Sequence, residues 1–347
     1  MPSLSNSSLD LPYAYGPPSA IGLLRQSLED FQVEEDLGFE PEGEGEHLWL
    51  WIEKRGINTD DLARQLAKLA GVRRSDVSYA GLKDRHAVTR QWFSIQLPKV
   101  KFEQAAQWQD AGWRVLRAVQ ARRKIRRGSL HGNRFIITLR KMQGDKQALE
   151  ARLRQIAERG VPNYFGEQRF GHDNIARAEA MARGELRVPE RHLRGMYLSS
   201  LRSALFNAAL ARRAQQGSWD RALPGEALNL NGSRSFFVAD IIDETINNRL
   251  EQGDIHPTGP LWGKDVPSSR GEALELELSV VTDCPEIWRK ACVDANMKQE
   301  RRPLRLLVKR LVWQWVDDDA LRLEFSLPAG TYATAVVREI VTDEGDK

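Results

Sequence analysis

Residues 79–95 read YAGLKDRHAVTRQWFSI, a dense group of ionisable side chains followed by a strand-like run. Within the charged half, Asp84 lies between Lys83 and Arg85, and His86 comes next. The second half of the stretch is rich in β-branched and aromatic residues, which predicts a strand. The sequence therefore places one carboxylate at a loop-to-strand junction in a positively charged environment.

Two interpretations of Asp84 follow from the residues alone. Positive neighbours favour the ionised carboxylate and attract polyanions, which suits a reactive acid acting on nucleic acid. The alternative is a solvated ion pair of little energetic value. The local pattern by itself favours this alternative.

The composition is that of an ordinary soluble globular protein, with 41% hydrophobic and 29% charged residues among 347. A chain of this length predicts two domains. No apolar run reaches membrane-spanning length, and residues 1–20 lack the basic start and apolar centre of a signal peptide, so we expect a loose arm there. Cys284 and Cys292 are the only cysteines, which indicates a reducing compartment and a cytoplasmic location.

The net charge is only +3, but the charges are unevenly distributed along the chain. Residues 114–140 contain many Arg and Lys side chains and no Asp or Glu, whereas residues 29–53 are strongly acidic. Because Lys and Arg displace the counterions condensed on nucleic acid, the basic segment predicts contacts with phosphate groups. A solvated helix face or a chance cluster is the alternative.

Hydrophobic periodicity predicts the elements around Asp84 and beyond. Residues 47–54 predict a buried strand, and residues 58–70 predict a helix that ends at Gly71. Further predicted elements are helices over 102–113, 146–159 and 174–216, a helix after Gly330, and strands over 131–139, 224–231, 236–239, 304–308 and 321–327, the last two paired with each other.

The segment YAGLKDRHAVTRQ resembles the signature of the tRNA pseudouridine synthase D (TruD) family. Further matches are EDFQVEE at 29–35, GNRF at 132–135, PNYFGEQRFG at 162–171, HPTGPLWG at 256–263 and GTYATAVVRE at 330–339. The resemblance implies an α+β fold: a pseudouridine-synthase-like catalytic domain with a mixed, largely antiparallel sheet, and an inserted α/β TRUD domain.

The resemblance also suggests the domain boundaries. We expect a flexible arm over 1–20, a discontinuous catalytic domain over 21–154 and 306–347, and the inserted TRUD domain over 155–305. The first boundary precedes a Pro- and Gly-rich run, and the second precedes the return to β character.

By resemblance, Asp84 is the catalytic residue. Phe31 is expected to contact the substrate nucleotide, and Asn133 its base or ribose. Phe135 is expected near the active site, and Tyr332 against the target base. From the residues alone, Phe31 and Phe135 suit core packing equally well or better, and Asn133 suits the capping of a turn.

Four basic side chains complete the expected substrate-binding set. Arg25 occupies a position where family members often have Lys, and a planar guanidinium differs from a compact ammonium in its contacts. Lys83, Arg85 and His86 flank Asp84 and are expected to help bind the RNA.

The function implied by the resemblance is the isomerisation of a uridine, uridine 13 in the D arm of tRNA, to pseudouridine. No metal or other cofactor is expected, the histidines show no metal-ligand spacing, and we expect a monomer. One alternative is a non-catalytic RNA-binding or RNA-folding module that uses the same basic face. A carboxylate-dependent hydrolase is another, but it usually needs a second acidic partner.

Overall fold

The computed structural model describes residues 11–96, 101–171 and 173–345. The strands are β1 Ile21–Leu23, β2 Phe31–Asp36, β3 His47–Arg55, β4 Val77–Tyr79, β5 Val88–Gln96, β6 Gln109–Asp110, β7 Trp113–Ala121, β8 Gly132–Gln143, β9 Val161–Pro162, β10 Glu226–Leu230, β11 Phe236–Ala239, β12 Ile255–Leu261, β13 Glu300–Pro303, β14 Arg305–Leu306, β15 Lys309–Asp317, β16 Ala320–Pro328 and β17 Thr342–Asp343. The helices are α1 Thr59–Ala70, α2 Phe102–Ala105, α3 Lys146–Arg159, α4 Asn174–Ala182, α5 Arg191–Gln215, α6 Glu244–Glu251, α7 Gly271–Asp283, α8 Glu286–Asp294 and α9 Ala333–Val337.

Contacts divide the chain into two compact units. As far as they are described, residues 19–149, 308–330 and 341–347 form the sheet unit, and residues 1–18, 150–307 and 331–340 form the helical unit. The breaks near 150 and 307 lie close to the expected domain boundaries, whereas residues 331–340 are grouped with the helical unit. The assignment of these units as functional domains stays a prediction.

The sheet unit is built on one large sheet with the strand order β15-β16-β8-β2-β5-β3-β7-β6. β1 pairs with β8 and β17, and β4 pairs with β5. The β2–β5 and β1–β17 pairs are parallel and the other pairs of this sheet are antiparallel. This arrangement confirms the predicted α+β class with a mixed, largely antiparallel sheet.

Helix α1 packs against this sheet through one apolar face. Leu62 and Leu66 are fully buried and lie in one cluster with Leu50 of β3 and Phe93 of β5. The spacing of four residues places both leucines on the same side of the helix. Gly71 ends the helix in the left-handed conformation, with φ +66°, as its position predicted. The helix therefore packs on the core of the sheet unit, against β3 and β5.

The helical unit is organised around α5, which contacts α4, α7, α8 and β12. Its sheets have the orders β11-β10-β12-β13 and β14-β9, and all their pairs are antiparallel. The single helix predicted over 174–216 is wrong because Gly184 adopts φ +78° and Pro189 follows, so α4 and α5 are separate. Every helix within the described ranges is too short or too polar to cross a membrane.

Two other predicted elements differ from the structure. Only residues 102–105 of the predicted helix over 102–113 are helical, and a turn at Gly112 (φ +88°) joins β6 to β7 instead. β7 then pairs with β3 over its length, so pairing with a distant strand overrides the local helical pattern. The predicted pairing of the strands over 304–308 and 321–327 is also wrong. β14 pairs with β9, and β16 pairs with β15 and β8, because residues 309–317 form a strand of their own beside β16.

Part of the predicted N-terminal arm is held in the helical unit by hydrogen bonds. The Tyr15 hydroxyl donates to the Gly160 carbonyl at 2.7 Å, and the Ala14 amide donates to Glu339 Oε2 at 3.0 Å. The Tyr164 hydroxyl donates to the Pro12 carbonyl at 3.2 Å. These bonds anchor the arm from residue 12, and residues 1–10 lie outside the described residues.

Candidate active site

Asp84 lies in the loop between β4 and β5, and both of its carboxylate oxygens have partners. Oδ2 is 2.9 Å from Arg25 Nη2, and Oδ1 accepts a hydrogen bond from the His86 amide at 2.9 Å. The side chain is 24% exposed. The carboxylate is therefore fixed in orientation while part of its surface stays open to a substrate.

Arg25 links this carboxylate to an aromatic side chain. It follows β1 with φ +60°, a left-handed conformation that is uncommon for a residue with a Cβ. Its guanidinium lies 4.3 Å from the centre of the Phe31 ring. Its Nε is buried and has no acceptor among the described residues. The planar group thus contacts a carboxylate and a ring together, which an ammonium does less well.

The two expected aromatic residues of the sheet unit pack together. The rings of Phe31 and Phe135 are 6.3 Å apart in an edge-to-face arrangement, and Phe135 stacks on Phe325 at 5.5 Å. Phe31 and Phe135 are 4% and 7% exposed. Both rings therefore belong to the core next to Arg25, and their contact with a substrate stays a prediction.

Asn133 lies inside β8, where it pairs with Glu35 of β2 and Leu327 of β16. The turn-capping alternative does not apply to a residue in this position. Its Oδ1 is buried and has no hydrogen-bond donor among the described residues. Since buried polar atoms are nearly always paired, this oxygen is a candidate acceptor for a substrate.

The basic neighbours of Asp84 point in different directions. Lys83 Nζ forms a 2.8 Å ion pair with Glu35 Oε1, and the two side chains are 6% and 0% exposed. Arg85 is exposed, and its Nε donates to the Gly56 carbonyl at 3.2 Å. His86 is also exposed and contacts Asp84 through its amide. Lys83 is therefore occupied inside the sheet unit, whereas Arg85 and His86 face solvent.

Polar side chains that the sequence analysis missed hold the backbone of the Asp84 loop. Thr59 Oγ1 accepts from the Lys83 amide at 3.0 Å, and Gln91 Nε2 donates to the Gly81 carbonyl at 3.1 Å. Lys54 Nζ donates to the Asp84 carbonyl at 2.9 Å. Thr59 begins α1, Gln91 lies within β5 and Lys54 lies near the end of β3, so regular elements fix the loop.

Much of the predicted phosphate-binding segment is paired with the acidic segment. Because β7 is adjacent to β3, and β8 is adjacent to β2, arginines of 114–140 meet acids of 29–53. The ion pairs are Arg114–Glu53 at 3.0 Å, Arg117–Glu40 at 2.8 Å, Arg122–Glu44, Arg134–Glu34 at 2.8 Å and Arg140–Asp30 at 2.7 Å. The uninterrupted basic surface predicted for residues 114–140 is therefore limited to the loop after β7.

That loop, residues 123–128, is termed the basic loop. The Trp49 indole donates to the Arg123 carbonyl at 2.8 Å, and the amide of buried Ile125 donates to Ser94 Oγ at 3.0 Å. The Gly128 amide donates to the Ala80 carbonyl at 2.8 Å. The loop is thus tied to β3, to β5 and to the segment that leads to Asp84.

Tyr332 belongs to the helical unit and precedes α9. Its ring contacts Phe165 edge-to-face at 6.2 Å. Its predicted contact with a target base stays a prediction. Among the described residues, no three His, Cys, Asp or Glu side chains converge as a metal site would require.

The model of the family described as "tRNA pseudouridine synthase D (TruD)" matches residues 11–187 and 173–340. The chain belongs to this family. A tRNA pseudouridine synthase D from Hydrogenovibrio crunogenus is 43% identical over 330 residues, covering 94% of this chain and 95% of that protein. One from Nitrosococcus oceani is 48% identical over 335 residues, covering 95% and 93%.

A solved structure agrees with the fold of this TruD-family chain. The crystal structure of a putative tRNA pseudouridine synthase D from Methanosarcina mazei aligns with a TM-score of 0.74 over 95% of this chain and 96% of that one. The sequence identity is 24%, so this likeness shows the fold alone. The predicted family and fold class are confirmed.

Proposed function

We propose that this chain is an isomerase that converts a uridine of tRNA to pseudouridine, with Asp84 as its catalytic carboxylate. One observation carries the proposal: in a chain of the TruD family, a carboxylate is held by Arg25 and by the His86 amide and remains partly exposed. Isomerisation breaks the bond from C1′ to N1 of uracil and forms one from C1′ to C5. N1 gains a proton and C5 loses one, so the reaction balances within one nucleotide.

Asp84 suits the first step of this reaction. A carboxylate can act as a nucleophile or can stabilise a cationic sugar intermediate, as it does at the anomeric carbon in glycoside hydrolysis. The contacts of both oxygens leave little rotational freedom, so little ordering is needed when the substrate binds. Attack at C1′, addition at C6 and removal of a sugar proton all remain open to this carboxylate.

The target uridine must leave its base stack to reach a side chain at this depth, which costs a few kcal/mol. We propose that Phe31, Phe135 and Asn133 form the uridine site, with Arg25 beside Asp84. The contact of Tyr332 with the target base rests on the family resemblance alone. The open acceptor of Asn133 fits the N3–H donor of uracil. The buried Nε–H of Arg25 is an additional hydrogen-bond donor for the substrate.

The basic loop offers a surface for the RNA backbone. Arg123 and Arg126 are exposed, and Arg127 stacks on the Tyr79 ring at 3.7 Å. The hydrogen bond from the Gly128 amide to the Ala80 carbonyl ties the basic loop to the segment before Asp84, so these cations lie beside the Asp84 loop. Charged side chains on a rigid frame bind phosphate with a smaller entropic cost than those on a mobile segment. We propose that this loop binds phosphates close to the modified nucleotide.

The finer identity of the substrate is also a proposal. We propose uridine 13 in the D arm as the target, with 21–154 and 306–347 as the catalytic domain, 155–305 as an inserted domain, and the cytoplasm as the location. The target and the domains rest on the family resemblance of the motifs at 29–35, 79–91 and 330–339, and the location rests on the two cysteines, which indicate a reducing compartment.

The test is tritium release from tRNA labelled at C5 of uridine, followed by chemical mapping of pseudouridine. The proposal predicts release with the purified chain alone and one modified position, which disappears when uridine 13 is replaced by cytidine. Release that maps to another position would overturn the assigned target only. RNA binding without release would overturn the isomerase and favour a non-catalytic RNA-binding module.

A further inference from the structure

Lys54 is a fully buried lysine next to the Asp84 loop. It lies near the end of β3 with 0% of its surface exposed. Its Nζ donates to the carbonyls of Ile57 and Asp84, both at 2.9 Å, and lies 3.5 Å from the Lys83 carbonyl. Among the described residues, its hydrogen-bond partners are thus backbone carbonyls.

A buried ammonium without a directly bonded carboxylate is energetically unfavourable. Burial lowers the pKa of Lys54 to about 8, against an opposing effect of the Asp84 charge, and the Lys83 charge lowers it further. An aliphatic side chain at this position would fill the same space without that cost. The position of this charge therefore calls for a role beyond packing.

We propose that Lys54 is a positioning residue that holds the Asp84 backbone in its catalytic conformation. The inference rests on the proposed function of Asp84. Lys54 joins two loops, because the Ile57 carbonyl follows β3 and the Asp84 carbonyl precedes β5.

Three hydrogen bonds hold the backbone of the Asp84 loop. Gln91 holds the Gly81 carbonyl, Thr59 holds the Lys83 amide, and Lys54 holds the Asp84 carbonyl. With its carbonyl fixed, Asp84 directs its carboxylate towards Arg25 and the His86 amide. Removal of the third contact leaves the backbone at Asp84 free to rotate, and a displacement of about 1 Å can reduce a rate about 100-fold.

The test is Lys54→Met, which keeps the length of the side chain and removes its charge and donors. The single-turnover rate at saturating tRNA is expected to fall about 10- to 100-fold, while the Kd for tRNA changes less than about 3-fold. Amide hydrogen exchange is expected to accelerate at Lys83 and His86 but not at Leu50 in the sheet core. An unchanged rate, or exchange that accelerates equally across the sheet, would overturn the proposal.

Two controls separate positioning from general stability. Leu66→Ala removes a fully buried core side chain and lowers stability without touching the loop, so the folded variant is expected to keep its rate. Lys68→Met removes an exposed ammonium from α1 and is expected to change neither rate nor exchange. A rate loss in Leu66→Ala equal to that in Lys54→Met would point to stability alone.

A measurement on the unaltered chain covers the case in which Lys54→Met does not fold. With ¹⁵N-labelled histidine, the His86 amide signal is expected to shift with a midpoint near pH 8 as Lys54 loses its proton. The charged side chains that face Lys54 are Asp84 and Lys83. No transition between pH 7 and pH 9 would contradict the coupling.

The two proposals fail in different ways. Full activity in Asp84→Asn would remove the catalytic assignment, while the hydrogen-exchange result at Lys83 and His86 would still report on the Lys54 contact. An inactive Asp84→Asn together with an unaffected Lys54→Met would remove only the positioning role.

Discussion

The buried ion pair between Lys83 and Glu35 gives a stability prediction with a matched control. Lys83 Nζ lies 2.8 Å from Glu35 Oε1, and the Lys83 and Glu35 side chains are 6% and 0% exposed. Glu35→Gln leaves the Lys83 ammonium buried without its counter-charge, and removal of one partner of such a pair costs about 3–5 kcal/mol. Glutamine keeps an oxygen for the Trp92 amide, which Glu35 Oε2 now accepts at 3.0 Å. The loss of stability therefore reports on the missing charge of Glu35 rather than on the hydrogen bond to the Trp92 amide.

The control is Glu40→Gln, which breaks the Arg117–Glu40 pair. That pair has the same 2.8 Å separation but side chains 52% and 76% exposed, so its loss is expected to cost less than about 1 kcal/mol. Urea unfolding, followed by tryptophan fluorescence, measures both free energies of unfolding. The double variant Glu35→Gln/Lys83→Met is expected to recover part of the loss because it no longer buries an unpaired charge. Equal costs for Glu35→Gln and Glu40→Gln would refute the reasoning.

Two more predictions concern pH and salt. Burial raises the pKa of Glu339 from 4.5 to about 7. Between these two pH values the folded state therefore binds more protons than the unfolded state. As the pH rises through this range, the free energy of unfolding falls by about 3 kcal/mol. Glu339→Gln is expected to remove that fall in pH-dependent urea titrations, and an unchanged pH profile would contradict it. In the basic loop, Arg123→Gln/Arg126→Gln is expected to reduce the slope of log Kd against log salt for tRNA by about 2. Arg117→Gln, whose side chain is already paired with Glu40, serves as the control, and equal slope changes would contradict the assignment of the loop.

Local sequence patterns were sufficient where an element is decided by its own residues. Helix α1, its glycine end and strand β5 follow the periodicity of their apolar positions, and Asp84 lies at the predicted loop-to-strand junction. The helix predicted over 102–113 is wrong because the edge of β3 offers β7 a partner that the local pattern does not contain. Pairing between distant strands is the part of the fold that periodicity leaves open.

The same limit applies to the site. Alternation along β2 places Glu35 on the buried side with Phe31 and Val33, a signal that the sequence analysis did not use. Its pairing with Lys83 depends on the neighbouring position of β2 and β5. The neutralisation of arginines by the acidic segment has the same origin, since only the strand order brings the two segments together.

The most direct test of the central claim is the isomerisation rate of Asp84→Asn under single-turnover conditions. Asparagine keeps the shape and an oxygen for the His86 amide, so folding and tRNA binding are expected to persist while the rate falls at least about 1000-fold. Asp110→Asn, at an exposed strand position, is expected to match the unaltered chain. A substituted enzyme that still forms pseudouridine at a rate within about ten-fold of the unaltered chain would contradict the catalytic role of Asp84.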